Sequence, residues 1–438
     1  MVAMNYRVSG LGYLALSDGK TNGNFGLGDQ INALNWVREH IDNFGGDPDR
    51  ITVFGQSAGA ASVRALLASP KATGKFAGAI LMSNLGGMQY ATTYSHYYTI
   101  DEQVNAVADP ILRATNCSDA PSQVDCLRAL PANLLTGGLP DIPVARFLVV
   151  DGTYLTGPEL DLSSGAHPLS VNLMMGITRE DGAAFITFPR TPMNKTEYLI
   201  ARGFNATTEV PLVDEHLFPF PPEHSPTGNQ TLDLFDSSTR FVTDGLFRCL
   251  NLATVNAGLR NGLFQPRHAK SGDKKGKVYY YEFDRTYQLT SWPGTDVCEA
   301  PHGDPARPYF RCHSGELYYV FGNLARQGLP QRSDNPGDLE FEQFVLDSWA
   351  AFIRTGDPNP EKGFLVARGY KSTLEQVWGD KERSERAGGA RGWVPSTGSN
   401  DDDVELTMRV LDWPSSYQSG FREREQCKGL GLGLEYYL

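Results

Sequence analysis

The sequence predicts an α/β fold: a mostly parallel central sheet with helices on both faces. Three observations carry this. Ile51-Thr52-Val53-Phe54 and residues 76–82 are short apolar runs, the pattern of buried strands. Residues 60–68, between them, are small and read as a helix. Residues 29–44 set Ile31, Leu34, Val37, Ile41 and Phe44 on one stripe of an amphipathic helix, stopped by Gly45-Gly46 and turned by Asp47-Pro48. Strands that alternate with helices are joined by crossovers, which favours parallel pairing.

Other elements follow from local pattern. Residues 1–8, Met-Val-Ala-Met-Asn-Tyr-Arg-Val, read as the end of a buried strand. Leu173-Met174-Met175-Gly176 reads as a strand end, and 278–283 as a strand by aromatic and β-branched content. Residues 341–352 read as a helix with Phe341, Phe344, Val345, Trp349 and Phe352 on one face. Residues 205–231 are Pro-rich and polar, the mark of a surface excursion; 381–403 are charged and Gly-rich, the mark of a flexible loop. The chain has 438 residues, 40% of them hydrophobic, enough for a sizeable core. We expect 1–438 to be one domain, because α/β enzymes often run this long.

Composition excludes several classes. With 39 basic and 51 acidic residues the net charge is −12, against the basic face that nucleic-acid binding needs. No apolar run approaches the roughly 18–20 residues of a membrane helix. The six cysteines form no C-x-x-C pair and no H-E-x-x-H occurs, against zinc-ribbon, thioredoxin-type and zinc-hydrolase sites. No metal or other cofactor is expected.

Gly55-Gln56-Ser57-Ala58-Gly59 is a G-x-S-x-G run. A serine on a sharp strand-to-helix turn has a strained backbone, and flanking glycines serve where side chains would clash. The turn lifts the hydroxyl above the carboxyl edge of the sheet. The helix N-terminus points N–H groups at any oxyanion that forms, and the Ala58 N–H supplies one donor. The pentapeptide alone is weak and equally describes a Gly-rich turn with a surface serine. A strand before it and a small-residue helix after it favour the nucleophile.

The chain resembles the type-B carboxylesterases, the family of carboxylesterases, cholinesterases and bile-salt-type lipases. The resemblance rests on Asn5-Tyr6-Arg7, Gly10-Leu11-Gly12-Tyr13-Leu14, Gly23-Asn24-Phe25-Gly26-Leu27, Asp29-Gln30, Trp36-Val37, Phe44-Gly45-Gly46-Asp47-Pro48 and Val53 through Ala60. Later matches are His313 with Glu316, Val320-Phe321-Gly322, and Trp349, Phe352 and Thr355-Gly356-Asp357-Pro358-Asn359. The last residues, from Glu425-Gln426-Cys427, resemble secreted fungal members. The resemblance implies an α/β-hydrolase fold and a triad in the chain order Ser, Asp or Glu, His. His313, in a loop entering a helix with Glu316 three residues on, matches the family's base; His302, in a Pro/Gly loop, is the alternative or a pocket residue. Asp181, immediately before Gly182, matches the acid. Glu180 is the alternative there, and otherwise a solvated loop charge.

The resemblance also implies an oxyanion loop of the HGGG type upstream of the serine. No such run is present, and Gly86-Gly87 lies on the wrong side of Ser57. We therefore expect the N-terminal strands, this loop and a signal peptide to precede residue 1 in the family pattern. Two functions are in view: a carboxylic ester hydrolase with Ser57, His313, Asp181 and the Ala58 N–H as its machinery, or a non-catalytic cholinesterase-like binding or adhesion protein. Ser57, Asp181 and His313 all being present favours the first. The substrate would be a small-molecule or lipid ester. Gln56, where cholinesterases carry a glutamate, argues against quaternary ammonium esters. Cys126-Leu127-Arg128 matches the family's disulfide loop, closed by Cys117. Of the 15 pairings possible for six cysteines, the preferred scheme adds Cys298–Cys312 and Cys249–Cys427. Sequons at Asn116, Asn194, Asn205 and Asn229 fit a secreted glycoprotein.

Overall fold

The computed structural model describes the chain except residues 141–143, 214–215, 221–227, 266–275, 288–296, 299–309, 330–335, 380–391 and 399–402. Among the described residues seven strands form the main sheet: β1 Thr52–Gln56, β2 Gly78–Met82, β3 Asn172–Thr178, β4 Gly276–Phe283, β5 Ser396–Gly398, β6 Thr407–Leu411 and β7 Tyr417–Gly420. Their order is β1-β2-β3-β4-β6-β7, with β5 also on β4. β1 to β4 and β6 run parallel; β5 and β7 are antiparallel to their neighbours. In the register Gln56 faces Met82 and Met82 faces Gly176; β3 then runs two residues further, so that Thr178 faces Phe283 and Phe283 faces Leu411.

β2 is buried at all five residues, which explains why residues 76–82 read as an unbroken apolar run rather than an alternating one. β4 shows the alternation of a strand with two different faces. Tyr279, Tyr281 and Phe283 join Met174 and Ile80 in one core cluster. That cluster is closed by the helix Asp338–Thr355, whose Phe341, Phe344, Val345, Trp349 and Phe352 are all at most 2% exposed. On the other face of β4, Glu282 meets Arg248 and Arg422, and the Tyr280 ring packs at a tilt against Phe421. Arg248 lies at the junction of the helices Gln230–Thr243 and Cys249–Arg260.

The chain clusters into two compact units. The sheet belongs to the unit of Thr52–Ala60, Gly78–Gln89 and Leu162–Leu438. The other unit is Met1–Ile51, Ala61–Ala77 and Tyr90–Asp161. Its core gathers Leu14, Leu16, Val107, Ile111, Leu112 and Leu127 around Cys117.

Several local expectations are corrected. Residues 1–8 form no strand and are largely exposed, and no described strand lies beside them. Their anchor is Arg7, whose Nη2 donates to Asp29 Oδ1 at 2.8 Å and whose N–H donates to Oδ2 at 3.0 Å. The predicted helix 29–44 is the helix Phe25–His40 followed by a tighter turn, Ile41–Phe44. The stripe fades along it: Ile31 and Leu34 are buried, whereas Phe44 is 73% exposed. Within 205–231, Phe218 and Phe220 are buried, so the segment is no mere surface excursion. Within 381–403, Ser396–Gly398 is a strand because it pairs with β4, and Trp393 is buried against Ser348 at 3.2 Å. Most of the rest of that stretch lies outside the described residues.

Three disulfides join Cys117 to Cys126, Cys249 to Cys427 and Cys298 to Cys312, the pairing preferred from the sequence. They close loops of very different length, with separations of 9, 178 and 14 residues. On loop entropy, replacing Cys249 and Cys427 by serine should cost roughly 5 kcal/mol, against roughly 2.5 for Cys117 and Cys126. Denaturant melts of the two double variants check this ranking; a larger loss from the short loop would reverse it.

Candidate active site

Ser57 follows β1 directly and opens the helix Ala58–Ala68. Its φ is 58°, the left-handed region that costs a non-glycine residue energy. Its N–H donates to the Met82 carbonyl at 2.9 Å, which ties the turn to the end of β2. Gly55 is required here, because a Cβ would stand 2.3 Å from the Gly59 carbonyl group. Gly59 is not required, because a Cβ there meets nothing within 4 Å. Only one of the two flanking glycines therefore serves the steric purpose expected of both.

Asp181 follows β3 by three residues and is fully buried. Its Oδ1 lies 2.7 Å from His313 Nδ1. Its Oδ2 accepts from the Ser83 hydroxyl at 2.9 Å and from the Thr178 N–H at 3.0 Å. Gly182 is needed beside it, since a Cβ would meet the Thr243 nitrogen at 2.6 Å. His313 is 1% exposed and stands between Phe185 and Phe247, each ring 5.0 Å away. Its Nε2 lies 3.0 Å from the Gln56 amide nitrogen. One tautomer satisfies both contacts, with the proton on Nδ1 toward Asp181 and a bare Nε2 accepting from Gln56. That is the form a general base needs. Among the described residues no hydrogen bond joins the Ser57 hydroxyl to His313; Gln56 holds that position instead.

The structure thus brings Asp181 and His313 together beside the turn that carries Ser57 and Ala58. Glu180 faces elsewhere. Its Oε2 accepts from the Arg311 N–H at 2.8 Å and its Oε1 from Arg311 Nη2 at 2.7 Å, so it is no solvated loop charge. Burial pushes its carboxyl up to about 7, with Arg311 and Arg179 pulling the other way. His302 lies outside the described residues. Ser83, Gln56, Phe185, Phe247 and Arg311 are site residues that sequence reasoning missed as contacts. Ser83 had a signal: it directly follows an apolar strand run, as Ser57 does. The structure gives it a φ of 52°, close to the 58° of Ser57, although Gly78–Met82 is buried and Thr52–Gln56 only half-buried. Phe247 had none, being one apolar residue in a buried helical stretch.

A carboxylesterase-family model matches residues 1–385. The chain belongs to the carboxylesterase family. Among curated relatives, Neuroligin-3 of Mus musculus is 30% identical over 379 residues, covering 82% of this chain and 41% of the relative. Carboxylesterase 5A of Homo sapiens is 28% identical, covering 82% and 58%. Bile salt-activated lipase of Mus musculus is 28% identical, covering 86% and 60%. The chain spans about half the length of the curated relatives it matches. A solved PNB esterase structure superposes with a TM-score of 0.60 at 25% identity, covering 97% of this chain and 73% of that one. The carboxylesterase fold here is the α/β-hydrolase fold, with its mostly parallel sheet and surrounding helices.

Glu316 completes the site's electrostatics. It is 1% exposed, and neither carboxyl oxygen has a hydrogen-bond partner among the described residues. Burial, with the nearby Asp181 charge adding, pushes its pKa from the ordinary 4.5 up to about 8. Between those values the folded chain holds a proton that the unfolded chain has lost. Glu316 therefore lowers stability as pH rises through that window, and the loss levels off above about 8. Glu316→Gln stays neutral throughout. Its melting temperature should gain on the parent protein's as pH rises from about 5 to about 8 in parallel thermal melts. A gap between the two that stays constant with pH would dismiss this account.

Proposed function

We propose that this protein hydrolyses carboxylic esters through an acyl-enzyme formed on Ser57. The Ser57 Oγ attacks the acyl carbon as its proton passes to His313 Nε2, which Gln56 releases when substrate binds. Asp181 accepts from Nδ1–H, orienting the ring and stabilising the imidazolium. The tetrahedral intermediate expels the alcohol, which takes the proton back from His313. Water then repeats the sequence on the acyl-enzyme, with the same residues in the same roles. The Ala58 N–H, at the N-terminus of its helix, is the assigned oxyanion donor. No H-G-G-G-type run occurs, so no residue of this chain is assigned the remaining donors. The observation that carries the reading is the buried 2.7 Å pair of Asp181 and His313, 132 residues apart in sequence. Membership of the carboxylesterase family supports it.

A second reading is a cholinesterase-like binding or adhesion protein without turnover. It is favoured by similarity to Neuroligin-3, a relative not named as an esterase. A chromogenic short-chain ester and a fluorophosphonate label separate the two. On the first reading Ser57 is labelled, and Ser57→Ala or His313→Ala lowers turnover by several orders of magnitude, with Asp181→Ala costing less. No labelling and no turnover from folded protein would leave the second reading.

We further propose that the protein is secreted, on the strength of three disulfides, which persist in oxidising compartments. Asn116, Asn194, Asn205 and Asn229 are all exposed, as acceptors of N-glycans must be. Protein from a eukaryotic secretory host should lose mass on N-glycosidase treatment, with peptide mapping locating the loss at these asparagines. Unmodified peptides at all four would count against the glycoprotein reading.

A further inference from the structure

Asp181 and His313 stand on two separate loops, and something must hold those loops in register. The hydrogen bond between them is one contact, and a loop displacement of about 1 Å costs on the order of 10²-fold in rate where geometry is catalytic. The residues just before each of them are joined three times. Arg311 donates its N–H to Glu180 Oε2 at 2.8 Å and its Nη2 to Oε1 at 2.7 Å. Glu180 returns its own N–H to the Arg311 carbonyl at 3.2 Å. Asp284, next after β4, takes Arg179 Nη1 on both oxygens, at 2.9 and 2.8 Å, and pairs with Arg311 Nε at 3.2 Å. Arg179 and Asp284 in turn donate their N–H groups to Phe283 and Leu411, at 3.0 and 2.8 Å, which roots the cluster in the sheet. Cys312, between Arg311 and His313, is itself held by Cys298.

A surface ion pair would contribute little. This one differs because two of its three bonds use the main chain, and because the Arg311 and Glu180 side chains are only 19% and 15% exposed. We infer that Glu180 and Arg311 are positioning residues, a clamp that sets the distance between the Asp181 and His313 loops. The kinetic side of this inference rests on the hydrolase reading; the structural side does not.

The test therefore reads both. The Nδ1–H that His313 shares with Asp181 gives a low-field proton line in NMR whether or not the protein turns over esters. Glu180→Ala removes both acceptors. It should broaden or abolish that line and lower kcat by about 10²-fold, with KM changed by no more than about twofold. Glu180→Gln keeps an oxygen for the Arg311 N–H and should restore the line and most of the rate. Arg311→Ala keeps the main-chain bonds and should lose roughly 10-fold in kcat with a weakened line. It carries the test if Glu180→Ala does not fold. Rates are normalised to folded protein by circular dichroism, so loss of stability alone would leave them unchanged. A proton line and kcat unaltered in Glu180→Ala, or in Arg311→Ala where only that variant folds, would overturn the clamp. A parent protein that shows the line but hydrolyses no ester would overturn the hydrolase reading, and the line would still judge the clamp.

Discussion

The site depends on a run of main-chain hydrogen bonds along the carboxyl edge of the sheet. Each of β1 to β4 ends one residue before an N–H that donates to a carbonyl at or near the end of its neighbour. Ser57 donates to Met82, Ser83 to Gly176, Arg179 to Phe283 and Asp284 to Leu411. Register between strands is thereby carried past their ends into the loops. Shifting any one strand by a residue would reverse its faces and move its loop together. Ser57 and Ser83 are placed relative to one another because β1 and β2 finish level, and Asp181 stands further out because β3 runs two residues past them.

Two buried carboxyls near this edge have opposite hydrogen-bond fates. Asp181 is met by His313, Ser83 and Thr178, so each oxygen is satisfied. Glu316 is as deeply buried and meets no donor among the described residues. Burial alone favours a proton on a carboxyl, whereas donors aimed at it favour the charge. Two acids at the same depth thus differ in the donors the fold aims at them.

The fold was legible where a single physical rule acts locally. β2 reads from its unbroken apolar run and the helix Asp338–Thr355 from its stripe, because burial dictates both patterns. Ser57 reads from a G-x-S-x-G run set between a strand pattern and a small-residue helix. Asp181 and His313 came from family resemblance, since no local pattern announces a contact across 132 residues. What stayed illegible was set by partners distant in sequence. Ser396–Gly398 sits in a charged, Gly-rich stretch and becomes a strand only because β4 offers it an edge. Phe218 lies in a Pro-rich stretch and is buried by packing on Phe241. Arg311 gave no sign in sequence that its main chain would serve Glu180.

The amide of Gln56 on His313 carries one more consequence. An amide is two-sided: it presents N–H to a bare ring nitrogen and, turned over, presents oxygen to a protonated one. Residue 56 can thus follow the imidazole through both of its charge states by a half-turn about one bond. A carboxylate there could only accept, and would ask for a proton on Nε2 before any ester arrived. The choice of amide over acid at this position gives the ring a partner that is reversible, a latch with no preferred hand.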